Sequence, residues 1–110
     1  IVGSAELAQM REDSFVINCA RGGIVDEAAL MAALDSGAIA GAGIDVYVQE
    51  PPPADHPFLA SDKIFLSPHS AGVSVEAATR MSRETAENLL AALDGTLNPV
   101  AVANPVVLGN

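Results

Sequence analysis

Arg21, Asp45, Glu50 and His69 are the residues of this chain best suited to do chemistry together. An arginine presents a planar fork that matches a carboxylate, and it stays charged at any working pH. A carboxylate beside a histidine favours the imidazolium form. A charged imidazole can give its proton to a carbonyl oxygen as hydride arrives at the carbon, and in the reverse direction take the hydroxyl proton. Singly, each residue has an ordinary explanation. Arg21 adjoins a Gly-Gly turn and reads as surface, Glu50 before Pro51 reads as a loop carboxylate, and His69 and Asp45 read as groups capping local turns. The case for a site rests on where the surrounding elements put them.

Ser4 predicts the N-cap of a short helix over residues 5–11, with Leu7 and Met10 on one face. Residues 14–18, Ser-Phe-Val-Ile-Asn, predict a short buried strand. Asp26 is a second N-cap, with Glu27 favouring the helix dipole and Gly37 supplying the stop. The next strand is expected over residues 39–46, where Gly41 and Gly43 leave room for close approach of neighbouring backbone. Glu50-Pro51-Pro52-Pro53 begins a loop, and a turn at 57–60, around His56-Pro57, leads to a third strand over 63–66. After the 67–72 loop, Ser74 caps the longest helix, which ends near Asp94 with Gly95 as its stop. Val75, Ala78, Met81, Thr85, Leu89 and Ala92 form its apolar stripe. Residues 96–110 are expected as extended tail or edge strand.

Strands alternating with helices predict an α/β fold with a parallel sheet. In such sheets ligands sit outside the carboxyl ends of the strands. Arg21 follows the first strand, Asp45 and Glu50 the second, and His69 the third, so parallel strands gather all four at one edge. That recurrence favours a site over separate local explanations.

Composition narrows the function further. With 14 acidic against 5 basic residues the net charge is −9, which argues against binding a phosphate backbone. The single cysteine, Cys19, forms no internal disulfide and fits a reducing cytoplasm. No apolar run approaches the roughly 20 residues of a membrane span, so no membrane partner is expected. Histidines at 56 and 69 only, without a cysteine pair or carboxylates at ligand spacing, predict no metal site. The start Ile1-Val2-Gly3 without Met, together with a sheet of so few strands, leads us to expect a piece of a longer protein.

Asn18-Cys19-Ala20-Arg21-Gly22-Gly23-Ile24-Val25-Asp26-Glu27 resembles the N-x-x-R-G-x-x-V-D-E signature of the D-isomer-specific 2-hydroxyacid dehydrogenases, the phosphoglycerate dehydrogenase-like family. Gly41-Ala42-Gly43-Ile44-Asp45-Val46 with Glu50-Pro51 resembles its G-A-x-x-D-V…E-P segment, and Pro68-His69-Ser70-Ala71-Gly72 its P-H-x-A/G-G segment. The likeness runs from the first helix to the Asn98-Pro99 region. It implies a partial Rossmann-like sheet, the C-terminal half of an NAD-binding domain, with residues from about 74 to 110 returning toward a substrate domain. It implies NAD(H)-dependent interconversion of a D-2-hydroxyacid and a 2-oxoacid, with NADP left open. Arg21 would bind the substrate carboxylate, His69 would be the acid/base, and Glu50 would keep it protonated. Asp45 would lie beside the nicotinamide, the backbone of Cys19 and Ala20 would meet its carboxamide, and Arg21, His69, Ser70, Ala71 and Gly72 would border the cofactor. A cytoplasmic homodimer joined through this domain is also implied.

The family's G-x-G-x-x-G pyrophosphate loop is absent, as are the acidic ribose reader and the N-terminal substrate domain. Little activity is expected from these residues by themselves. Two rival readings follow: an NAD(H)-sensing corepressor of the same fold, and a thiol enzyme built on Cys19 and His69. The second is the weaker, because nothing around Cys19 suggests an oxyanion arrangement.

Overall fold

The β-branched and aromatic run Phe15–Asn18 forms strand β1, which pairs in parallel with β2, Gly41–Ile44; β2 pairs in parallel with β3, Ile64–Leu66. The chain forms two units, Ile1–Gly72 and Val73–Asn110, and the computed structural model describes residues 1–108 of it. The sheet lies in the first unit, with strand order β1-β2-β3. Asn18 stands opposite Ile44 and Ile44 opposite Leu66, so the strands end level. The ladder runs one step further, with Asp45 N–H donating to Asn18 O and Ser67 N–H to Ile44 O, both at 3.0 Å. The predicted convergence of strand ends on one edge is what the register produces.

Helix α1 is a single turn, Ser4–Leu7, and here the structure departs from expectation. Gly3, not Ser4, is the N-cap, and its N–H donates to the Glu6 carboxylate at 2.8 Å. Gln9 and Met10 then bond three residues back, to Glu6 O and Leu7 O, so the helix gives way to tight turns instead of reaching residue 11. Helix α2, Glu27–Ser36, runs as predicted. Asp26 Oδ1 accepts Ala29 N–H at 2.8 Å, and Gly37 ends the helix with φ 75°.

The core forms where α2 covers one face of the sheet. Leu30 and Leu34 of α2 are fully buried with Leu7, Ile39 and Phe58, and Ala42, Ile44 and Ile64 are the strand residues that join them. The opposite face is open. Phe15 is 65% exposed, Ile17 67% and Phe65 79%, so β1 is buried on one side only and not throughout, as its continuous apolar run suggested. Gly41 and Gly43 serve this open face. A Cβ at Gly41 would stand 2.8 Å from the Phe15 ring and 3.0 Å from Lys63 O, and one at Gly43 would stand 2.9 Å from Ile17 Cδ1. The room is used mainly by side chains of β1 lying across β2, rather than by backbone alone.

In the second unit, α3 spans Val75–Leu93; Ser74 Oγ accepts Ala77 N–H, and Gly95 follows with φ 70°. None of its residues is buried, and the stripe residues Val75, Met81 and Leu89 are exposed. The expected tail or edge strand is replaced by two 3-10 turns, Pro99–Ala101 and Pro105–Leu108. Each begins at Asn-Pro. Proline fixes φ for a turn, and Asn98 Oδ1 accepts Val100 N–H at 3.0 Å. Gly109 and Asn110 lie outside the described residues.

Candidate active site

Asp45 is the first residue past β2 and is buried. A buried carboxylate needs donors, and the 67–71 loop supplies them. Ser67 Oγ and Ser70 N–H donate to Asp45 Oδ1, the latter at 2.8 Å, and Ala71 N–H donates to Oδ2 at 3.0 Å. The Ser67 hydroxyl is the main cause holding the Asp45 carboxyl below its ordinary range; the two amides and the His69 charge act in the same direction, and burial opposes them. Asp45 therefore fastens the His69 loop to the end of β2.

His69 is held from the other side too. Tyr47 Oη donates to Ser67 O at 2.9 Å. Between these anchors His69 adopts φ 54°, the left-handed region that costs a non-glycine residue about 1 kcal/mol and persists only where its surroundings impose it. Its Nδ1 lies 2.7 Å from Glu50 Oε2. Glu50 Oε1 accepts Tyr47 N–H at 3.0 Å, and the Glu50-Pro51 peptide is cis. The His69 hydrogen bond is the largest influence drawing the Glu50 carboxyl below the usual range, followed by the Tyr47 amide and the charges of His69 and Arg21. With Nδ1–H donated to Glu50, Nε2 is the ring nitrogen left to meet a reacting oxygen.

Arg21 sits on the loop after β1. Asn18, buried at the end of that strand, shapes the loop: its Nδ2 donates to Arg21 O and its Oδ1 accepts Ala20 N–H, each at 3.1 Å. The Arg21 guanidinium donates to Ala20 O at 2.6 Å and acts on Glu50 through charge, without a hydrogen bond to it. The structure thus joins Glu50 and His69 directly, ties Asp45 to the His69 loop through Ser67, Ser70 and Ala71, and brings Arg21 within electrostatic reach of Glu50. Cys19 and Ala20 are exposed, and the Ala20 amide is occupied by Asn18. Ser70 and Ala71 serve as donors to Asp45, and a Cβ at Gly72 would meet open space.

Sequence reasoning missed Asn18, Tyr47 and Ser67 as the residues that hold these loops. A polar residue closing an apolar strand was a usable signal for Asn18. Nothing local marked Tyr47, whose hydroxyl acts on a residue 20 positions away.

The site edge opens onto a groove of about 640 Å³ whose lining includes Phe15, Ile17, Cys19, Gly43, Asp45 and Ala71. Largely apolar walls with a few polar groups, Asp45, Asp62, Lys63 and Ser67 among them, suit a flat heteroaromatic ring bearing an amide. A carboxylate has about four acceptor positions, and Asp45 has used two on Oδ1 and one on Oδ2. The remaining position fits a carboxamide donor, so the residues present fit the nicotinamide end of a dinucleotide. They include no loop for its pyrophosphate.

A parallel sheet with this set at its carboxyl edge is the arrangement of part of a dinucleotide-binding domain. Residues 1–71 match the family model described as the D-isomer specific 2-hydroxyacid dehydrogenase NAD binding domain, and the chain belongs to that family. It is 41% identical over 107 residues to a glyoxylate reductase of Thermofilum pendens, covering 97% of this chain and 32% of that protein. Among solved structures, it resembles the NADPH-dependent glyoxylate/hydroxypyruvate reductase of Sinorhizobium meliloti in complex with NADP and malonate, at 40% identity and TM-score 0.73, over 82% of this chain and 28% of that one. It also resembles the D-lactate dehydrogenase of Lactobacillus jensenii with NAD+, at 31% identity and TM-score 0.77, over 86% of this chain and 32% of that one. The chain spans about a third of the length of the curated relatives it matches.

Proposed function

We propose that this chain carries the acid–base half of the active site of an NAD(P)H-dependent reductase of small 2-oxoacids, with glyoxylate and hydroxypyruvate as the substrate class. The observation that carries the reading is the 2.7 Å contact of His69 Nδ1 with a Glu50 carboxylate fixed at its other oxygen by Tyr47 N–H. Glu50 accepts from His69 Nδ1 and orients the ring, and His69 Nε2 gives its proton to the ketone oxygen as that oxygen gains negative charge. When bound, the nicotinamide supplies the hydride in this direction and takes it in the other. Asp45, Cys19 and Ala20 would hold its carboxamide end, with the Ser70, Ala71 and Gly72 backbone bordering it. Arg21 holds the neutral Ala20 carbonyl at present; exchanging that acceptor for a substrate carboxylate gains a charge-assisted, two-pronged contact. The relatives' names support the substrate class, and their printed cofactors support leaving NAD and NADP both open.

The reading includes a homodimer in the cytoplasm and residues from about 74 onward returning toward a substrate domain. The division of the chain at Gly72 supports that boundary. The test is turnover of glyoxylate, hydroxypyruvate and pyruvate by the full-length protein with NADH and NADPH. His69→Gln should lower kcat by about 10²- to 10⁴-fold, while Arg21→Gln should chiefly raise KM for the oxoacid. Binding of NADH without reduction of any 2-oxoacid would overturn this reading in favour of an NAD(H)-sensing corepressor-like protein.

A further inference from the structure

Glu27 opens α2, but its carboxylate does not serve that helix. Its Oε1 accepts Val48 N–H at 2.9 Å, 21 residues away, and its Oε2 lies 3.4 Å from His56 Nε2, 29 residues away. We infer that Glu27, locked by His56, is a positioning residue for the Glu50–His69 pair.

The lock is visible in the histidine. His56 Nδ1 accepts Phe58 N–H at 3.2 Å, so Nδ1 carries no proton and Nε2 does. The ring therefore presents a donor to Glu27. It is set edge-on to Phe58 and Tyr47, with centroids 4.7 and 6.2 Å away, and its side chain is 12% exposed. Both rotation and tautomer are settled by neighbours.

The consequence lies in two successive amides. Tyr47 N–H donates to Glu50 and Val48 N–H donates to Glu27. One peptide turn is thus gripped by two carboxylates, the second belonging to α2, which packs under the sheet. Removing Glu27 leaves the Val48 amide without its acceptor. Water can take its place at this exposed amide, but the turn loses its tie to α2, and the adjacent Tyr47 amide that fixes Glu50 is freed to shift with it. His56, which sequence alone reads as a turn residue, becomes the far end of this brace.

The inference rests on the proposed reductase reading for its kinetic consequence, but not for its structural one. In the full-length protein, Glu27→Ala should lower kcat for glyoxylate about tenfold with KM changed less than about twofold, because only the acid–base pair is displaced. Glu27→Gln keeps an oxygen for Val48 N–H and should restore most of the loss. His56→Phe keeps the aromatic packing and should give an intermediate loss. Independently, carboxyl NMR should show the Glu50 titration moving up toward the ordinary carboxylate range in Glu27→Ala and His56→Phe. If the unsubstituted protein reduces no 2-oxoacid, the function proposal fails and the Glu50 titration decides the brace by itself. If Glu27→Ala does not fold, His56→Phe carries the same titration test. An unmoved Glu50 titration with unchanged kcat overturns the inference.

Discussion

Replacing Gly22 by alanine places a methyl group where backbone already stands. A Cβ built at Gly22 lies 2.0 Å from Tyr47 O, 2.3 Å from Tyr47 C and 2.7 Å from Val48 N. All three are main-chain atoms, so no side-chain rotation relieves the clash. Ordinary contact begins at 3.4 Å, so the Arg21 loop and the Tyr47 turn must part by about 1.4 Å. Gly22 is not in the left-handed region, which makes the effect purely one of space. The Tyr47 N–H to Glu50 bond starts at 3.0 Å, and half that displacement carries it beyond the useful limit of about 3.5 Å. Overpacking of this kind costs about 1–3 kcal/mol, and a misplacement near 1 Å at a catalytic pair costs about 10²-fold in rate. On the proposed reductase reading, Gly22→Ala should therefore melt earlier and lose kcat by about that factor, with KM for the oxoacid rising because Arg21 shares the loop. Thermal unfolding and steady-state kinetics on the full-length protein measure both. Gly23→Ala is the control: its added Cβ meets nothing within 4 Å, and φ 78° costs it about 1 kcal/mol of strain with a much smaller effect on kcat. Equal melting temperature and kcat for Gly22→Ala and the unsubstituted protein would refute the reasoning.

Tyr47→Phe keeps the ring and removes only the hydroxyl that donates to Ser67 O at 2.9 Å; it should cost about 1 kcal/mol in chemical denaturation and lower kcat by loosening the His69 loop. Burial, with the Asp45 and Glu50 charges, raises the Tyr47 phenol above its ordinary value, so it remains a donor throughout the working range. Asp45 and Glu50 both have folded pKa values below their unfolded ones. The unfolded chain therefore binds more protons, and the stability they add is fully present above about pH 4–5 and lost as pH falls through the lower folded values. A pH series of unfolding curves should show this decline on the acid side, with Asp45→Asn and Glu50→Gln each flattening it; an unchanged slope in both variants would contradict the hydrogen-bond account.

What the sequence determined by itself is what local chemistry encodes. Asp26 and Gly37 bound α2, and Ser74 and Gly95 bound α3, because caps act on amides and carbonyls within a few residues. The alternation of strands and helices, with polar residues just past each strand, was enough to gather Arg21, Asp45, Glu50 and His69 at one edge. The tertiary structure decided everything that depends on distant partners. Asp45 bonds residues more than twenty positions away and thereby becomes the fastener of the His69 loop. Glu27, which locally reads as a dipole residue, spends its carboxylate on Val48 and His56. An apolar run such as residues 15–18 states that burial is favourable but not on how many faces, and only packing leaves Phe15 and Ile17 uncovered. Arg21, Glu50 and His69 stand out as candidates from type and spacing. The loops that hold Glu50 against His69 are set by side chains reaching across the fold, which spacing along a chain does not record.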